Sequence, residues 1–213
     1  MIASEAITQF ELQVNDVTEL STSEELVILD RIYQRVCEDR PWEFLKTNAT
    51  GTMSGSGVDG YYITLPSDFN YFYENYNWTD NSISTQINRT PKVIFVGTSK
   101  DPYSIVNYSD RNQYLGSTGY AYVDLANSKI YFTGTPTSTT YSMDYIKVPA
   151  TLVAGSTILI PERFCPILVY GMATENEIIQ ISDKAKSYAP ENEALYNNYL
   201  NDMALWDARL QNN

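Results

Sequence analysis

Ser21-Thr-Ser-Glu-Glu-Leu-Val-Ile-Leu-Asp-Arg-Ile-Tyr-Gln-Arg-Val-Cys-Glu-Asp-Arg-Pro-Trp-Glu-Phe-Leu45 is the stretch from which the fold is read. Ser21 and Thr22 each have a glutamate three residues on, Glu24 and Glu25, so either hydroxyl can cap free backbone N–H groups while its glutamate reaches back. Leu29, Ile32, Tyr33, Val36 and Cys37 recur at the spacing that gathers side chains into one stripe of a 3.6-residue helix. Asp30, Arg31, Gln34, Arg35, Glu38 and Asp39 fall between them, on the face expected to be wet. Pro41 pushes Arg40 away from helical dihedrals, so the helix is expected to stop there, with Trp42, Phe44 and Leu45 forming an apolar plug beneath its end. This is a scaffold helix and carries no site.

Outward from it, Ile7, Phe10 and Val14 sit at helical spacing within Ser4 to Val14, which predicts a short preceding helix. After Leu45 the composition changes. Lys46 to Pro149 is dense in Thr, Ser, Tyr, Asn and Gly with short β-branched and aromatic runs, the reading of an antiparallel sheet. Gly51 to Gly60 reads as a flexible turn ahead of a strand at Tyr61 to Leu65. Lys92 to Val96 and Tyr103 to Val106 are strand candidates, and Asn107 to Gly119 is a polar loop. Tyr120 to Leu125 and Lys129 to Phe132 form the most legible hairpin, and Tyr141 to Val148 alternates aromatic and mixed faces.

From Pro161 the helical period returns. Phe164, Leu168, Met172, Glu175 and Ile179 share a face, with Ile167, Gly171, Ile178 and Ile181 beside it, so this helix is expected to pack against the first scaffold helix. Gly171 in mid-helix costs about 1 kcal/mol relative to alanine, and a close helix crossing is the usual reason to tolerate it. Ala189-Pro190 opens a second helix, whose predicted inner face is Leu195, Tyr199, Met203, Trp206 and Leu210. The expected fold class is α+β: a helical bundle from residues 1–45 and 161–213, with an antiparallel β-rich insertion at 46–160.

The order of these motifs carries a resemblance. A helix ending in RPW-x-F-L is followed by Tyr-x-x-Leu-Pro-x-Asp-Phe (Tyr62 to Phe69). Ile130-Tyr-Phe-Thr-Gly-Thr-Pro136, Tyr145-Ile-Lys-Val-Pro149, Pro161 and two helical patterns then complete the series. The series resembles the head-to-tail adaptor, or connector, proteins of tailed bacteriophages. That resemblance implies a non-enzymatic virion protein of the neck, assembled in the host cytoplasm. It implies a dodecameric homo-oligomer ring bound to the portal protein and to a tail or second connector protein, with viral DNA passing through its lumen without sequence-specific binding. It also implies a C-terminal segment that reaches the portal, by position Leu205, Trp206 and Leu210. The free protein is then expected to be a monomer whose last residues order on docking, and deletion of 204–213 is expected to leave the fold intact.

Composition limits the other classes. The formal charge is −12, from 26 acidic and 14 basic residues, which disfavours a phosphate-gripping surface. The same charge suits a wall past which DNA slides. No apolar run approaches the ~20 residues that span a bilayer, and no basic segment precedes an apolar one at the N-terminus, so neither membrane insertion nor secretion is expected. Cys37 and Cys165 lie in apolar helical patterns and are expected as buried free thiols. Four Asn-x-Ser/Thr matches, at Asn48, Asn77, Asn88 and Asn107, follow from an asparagine- and threonine-rich chain.

The sequence has no histidine, which removes His-dependent triads, histidine metal sites and the commonest general base. Two cysteines without histidine do not make a structural zinc site. Gly55-Ser-Gly57-Val-Asp-Gly60 matches G-x-G-x-x-G but precedes a strand instead of opening a helix, so no dinucleotide site is assigned. No catalytic residue, cofactor or metal is expected. The aromatic run Phe69 to Trp78 offers Tyr71, Tyr73, Tyr76 and Trp78 as binding-surface candidates, against the plainer reading that alternate rings pack on the sheet. The alternative to a virion adaptor is a carbohydrate- or peptide-binding β module with helical flanks. A hydrolase with paired carboxylates is a third class for which no pair stands out.

Overall fold

A computed structural model of the chain describes residues 1–14, 20–56, 60–73, 92–179 and 189–211. The architecture is mixed α+β, and the chain divides into two compact units, residues 1–45 with 149–213 and residues 46–148.

Among its described residues the first unit holds four α-helices: α1 (Ala3–Val14), α2 (Thr22–Glu38), α3 (Pro166–Ile179) and α4 (Ala189–Gln211). Ser21 is the residue that caps α2. Its Oγ accepts the Glu24 N–H at 3.4 Å, while Glu24 Oε2 accepts the Ser21 N–H at 2.8 Å, so the box closes in both directions. Leu29, Ile32, Tyr33, Val36 and Cys37 are all buried, as the stripe predicts. Each such burial contributes roughly 1.5–3 kcal/mol. The helix ends at Glu38 ahead of Pro41, and Trp42 then turns fully inward, donating its ring N–H to the Val36 carbonyl at 2.6 Å.

The face read as wet is only partly so. Asp30 accepts the Leu152 N–H at 2.9 Å, and the Gln34 amide reaches the carbonyls of Pro149 and Ala150 at 3.5 Å. These polar side chains of α2 hold the segment that leads into α3. The amino terminus grips it too: Ala3 N–H donates to Ser156 O at 3.0 Å, and Ile158 N–H to Met1 O at 3.2 Å. Residues 149–160 therefore lie with the helices.

Helix α3 packs on α1, α2 and α4. Its glycine marks a close crossing. A Cβ placed on Gly171 would stand 2.6 Å from Ile32 Cγ2 of α2 and 3.2 Å from Tyr196 Cδ2 of α4, so a larger residue has no room. Glu175, one turn on, receives Arg31 at 2.9 Å and Arg35 at 2.7 Å, both from α2.

Helix α4 is rotated from the predicted face. Its buried positions are Asn192, Met203 and Asp207, with Tyr196, Tyr199 and Trp206 half-buried, while Leu195 and Leu210 are exposed. Two polar residues occupy the inner face, and apolar periodicity cannot register them.

The described residues of the second unit form one sheet of nine strands: β1 (Lys46–Thr52), β2 (Ser54–Ser56), β3 (Gly60–Thr64), β4 (Phe69–Phe72), β5 (Val93–Val96), β6 (Asp101–Val106), β7 (Tyr120–Asp124), β8 (Lys129–Phe132) and β9 (Thr140–Lys147). The hydrogen-bonded order is β1-β9-β5-β6-β7-β8-β3-β2, with β4 also on β9. The two ends of that path, β1 and β2, are separated in the chain by Met53 alone. The sheet must therefore curl back toward its own beginning, around an interior of Met53, Ile63, Phe72, Ile94, Val96, Tyr103, Ala121, Ile130, Phe132, Met143 and Tyr145. All pairings are antiparallel except β6 with β7, which residues 107–119 connect through a 3-10 turn, Tyr108–Gln113. Strand β9 pairs with β1 along one edge and divides the other between β5 at Tyr141–Met143 and β4 at Tyr145–Lys147. Gly51 to Gly60 is not a free turn: its described residues carry the end of β1, Met53 and β2.

Candidate functional site

Three surfaces present functional side chains. The first is the C-terminal half of α4. Trp206 stands 5.6 Å from the Phe164 ring, and the Arg163 guanidinium lies 4.5 Å from the Trp206 ring and 4.6 Å from that of Phe164. Pro161 sets this up by opening the short 3-10 turn Glu162–Phe164, whose Phe164 is buried while Arg163 reaches over both rings. Trp206 is thus half fixed in the fold. Leu205 and Leu210 are 62% and 42% exposed, so two of the three sequence candidates are available for contact. At about 100° per residue Leu205 lies roughly 160° from both Met203 and Asp207, whereas Leu210 lies roughly 20° from Met203.

The second surface is β4. The aromatic run divides between the two readings made of it. Phe72 is buried and Phe69 packs on Phe72 and Tyr145 at 5.2 and 5.6 Å, whereas Tyr71 is 37% exposed. Tyr73 lies just past the strand with Lys46 Nζ 4.0 Å from its ring. Tyr76 and Trp78 lie outside the described residues.

The third surface escaped the sequence reading. Tyr62 of β3, Tyr131 of β8 and Tyr122 of β7 are in register across three adjacent strands. Their neighbours Ile63, Ile130 and Ala121 point into the interior, so by the period-2 rule the three rings stand outside. Tyr62 and Tyr131 are 5.8 Å apart, Tyr131 and Tyr122 stack at 5.6 Å, and Tyr122 meets Tyr108 edge-on at 5.8 Å. A cation sits at each end, Lys129 Nζ 4.0 Å from the Tyr62 ring and Arg111 Cζ 3.9 Å from the Tyr108 ring. The signal was present: a hairpin closed by residues 126–128 places Tyr122 opposite Tyr131.

Chemically these surfaces offer contact. Among the described residues no group of three or more His, Cys, Asp or Glu could hold a metal ion. No helix among them is long and apolar enough to cross a membrane. Burial pushes the Cys37 thiol up to about 12 and the Cys165 thiol up to about 11, far from a reactive thiolate. Both cysteines are free and buried. Burial also raises the carboxyl of Glu25, with nearby Glu11 adding to the effect.

Residues 1–213 match the family model described as SU10 adaptor protein. The chain belongs to the SU10 adaptor protein family. It is therefore a bacteriophage adaptor protein, a component of the virion. No curated protein matches it significantly.

For this SU10 adaptor family member, the expectation about its C-terminal segment needs correction. Helix α4 continues to Gln211, Asp207 is 2% exposed, and its Oδ1 accepts the Glu43 N–H at 2.8 Å. Residues 204–211 are part of the fold, so the deletion would remove a buried anchor and the Trp206 ring together. Contact by this segment has to be probed with single surface side chains.

Proposed function

We propose that this SU10 adaptor family member is a non-enzymatic head-to-tail adaptor, repeated around an axis as a dodecameric ring between the portal protein and a tail or second connector protein. In this reading the helices from both ends of the chain act as one bundle that docks to the portal. The ring surrounds a channel through which viral DNA passes without sequence-specific binding, and an acidic wall avoids gripping phosphates. The protein works in the virion neck and assembles in the host cytoplasm.

One observation carries the reading beyond family membership: α4 leaves Leu205 and Leu210 exposed near its end while Met203 and Asp207 of the same stretch are buried. Exposed leucines on a helix held by buried side chains are available for contact, and Trp206 with Arg163 beside it supplies the residue types that dominate interface energetics. The β unit supplies the remaining contacts.

The test is the double variant Leu205→Asp/Leu210→Asp. Both side chains are exposed, so the thermal midpoint of the purified chain should stay within about 2 °C of wild type. Complementation of a deletion phage with the variant should yield heads that lack the protein and carry no tails. Normal incorporation and normal tailing would refute this surface. A ring of other symmetry, or none, in electron micrographs of the purified chain mixed with its portal would refute the dodecamer.

A further inference from the structure

The tyrosine row on the β unit has features that the adaptor reading does not use. One face of each ring is engaged: Tyr122 and Tyr131 stack on each other at an interplanar angle of 23°, and Lys129 and Arg111 lie over Tyr62 and Tyr108. A base or a sugar that binds by stacking needs a free face, so these contacts disfavour both. What the row offers is ring edges, phenol oxygens and two cations.

Those cations differ from four others among the described residues. Arg31, Arg35, Arg40 and Lys46 each pair with a carboxylate. Among the described residues neither Arg111 nor Lys129 does so, although Arg111 also donates to the Tyr108 carbonyl at 2.7 Å. The carboxylates at the margins are turned to their own loops. Asp124 takes the Asn127 side chain at 2.8 Å, and Asp110 takes the Ser109 hydroxyl at 3.2 Å and the Asn107 amide at 3.4 Å.

We infer that the row Tyr62–Tyr131–Tyr122–Tyr108, bracketed by Lys129 and Arg111, is a docking surface for a carboxylate-bearing surface of a second copy of this chain. Charge complementarity selects that occupant. With 26 acidic against 14 basic residues, copies repel unless a cationic spot meets an acidic one, and this row supplies such a spot, with Asp124 opposite Lys129 across the hairpin but not in an ion pair with it. Two copies of the row set face to face would bring cation against cation, which disfavours that pairing. The contact is thus between two different surfaces, the kind that repeats into rings or open filaments and not into closed pairs. This deepens the ring reading and rests on it.

The experiment places a photoreactive benzoylphenylalanine at Tyr108, which is 48% exposed, in the purified full-length chain, and irradiates it over a range of concentrations. A chain-to-chain adduct is expected, mapping by mass spectrometry from the row to an acidic surface elsewhere. Its yield should fall about tenfold in Arg111→Glu/Lys129→Glu and decline with salt. Lys129→Glu alone, which leaves the Arg111 hydrogen bond in place, should give a smaller fall in the same direction and guards against a folding defect. Absence of any adduct, an adduct from row to row, insensitivity to charge reversal, or quenching of tyrosine fluorescence by oligothymidylate would each overturn the inference. Incorporation of the same variants into particles separates the two claims. An adduct from a chain that never enters particles counts against the adaptor reading alone, whereas no adduct from a chain that does enter counts against this surface alone.

Discussion

Gly171 and Ile32 meet across the α2–α3 crossing so closely that a single methyl on the glycine would lie 2.6 Å from Ile32 Cγ2. Alanine is the better helix former by about 1 kcal/mol, so propensity alone favours Gly171→Ala. Overpacking opposes it with about 1–3 kcal/mol, since the obstacle is a β-branched side chain that is itself buried. We expect Gly171→Ala to lower stability in urea unfolding. On an Ile32→Ala background, where Cγ2 is gone, the same substitution should cost nothing or stabilise. An equal loss on both backgrounds would place the strain elsewhere.

The helical unit was legible because its signals are local. Ser21 with Glu24, the Leu29 to Cys37 stripe, Pro41 and Gly171 each act within a few residues or name their own constraint. The face of α4 was misjudged because Asn192 and Asp207 are buried by polar partners, and hydrophobic spacing is blind to these. The hairpin Tyr120 to Phe132 was legible for the reason the helices were. Strands β1, β2 and β4 were not, because polar runs such as Lys46 to Thr52 become strands only by pairing with β9, far away in sequence. Leu205 and Leu210 were named from position in the chain, and the structure exposes them. The tyrosine row needed the register of three strands, all expected as strands, but only the hairpin's pairing was predicted and not that of β3 with β8.

Glu25 lies 4% exposed in the first turn of α2, with Oε2 lacking a partner among the described residues. Burial, with the charge of Glu11, raises its carboxyl above the ordinary 4.5. A raised folded-state value means that the folded chain holds this proton more tightly than the unfolded chain. Its destabilising effect is therefore absent below about 4.5 and grows as pH rises through the folded value. Glu25→Gln should make the protein more stable than wild type at neutral pH by about 1 kcal/mol. The gap should close when melts are repeated near pH 4. A variant less stable than wild type at neutral pH would show that the charge has a partner after all.

Asp207 accepts the Glu43 N–H at 2.8 Å and thereby ties α4 to the turn that follows Trp42. Asp207→Ala leaves a partly buried donor unsatisfied, so a loss of about 1–3 kcal/mol is expected in thermal or urea unfolding. Asp207→Asn keeps an acceptor oxygen and should recover part of it. If alanine and asparagine behaved alike at wild-type stability, the bond would not be holding α4.

In the curled sheet, Tyr145 hydrogen-bonds Asp68 Oδ1 at 2.7 Å, and the Asp68 carbonyl accepts the Val148 N–H at 2.7 Å, so one aspartate closes the β4 end of β9. Burial, reinforced by that aspartate, pushes the Tyr145 hydroxyl from 10.0 up to about 12. The phenol stays neutral in the folded protein while it begins to ionise at about 10 when unfolded, so this contribution is complete below 10 and is lost between about 10 and about 12. Tyr145→Phe should cost about 1 kcal/mol near neutral pH, because half-buried Asp68 can turn to water. The same variant should lose less stability than wild type between pH 10 and pH 12, and should delete one late-titrating phenol from the ultraviolet titration. Asp68→Asn keeps an acceptor for the hydroxyl but removes the charge, so it should bring that late phenol to lower pH. A titration curve unmoved by either substitution would mean that Tyr145 is not the phenol held by Asp68.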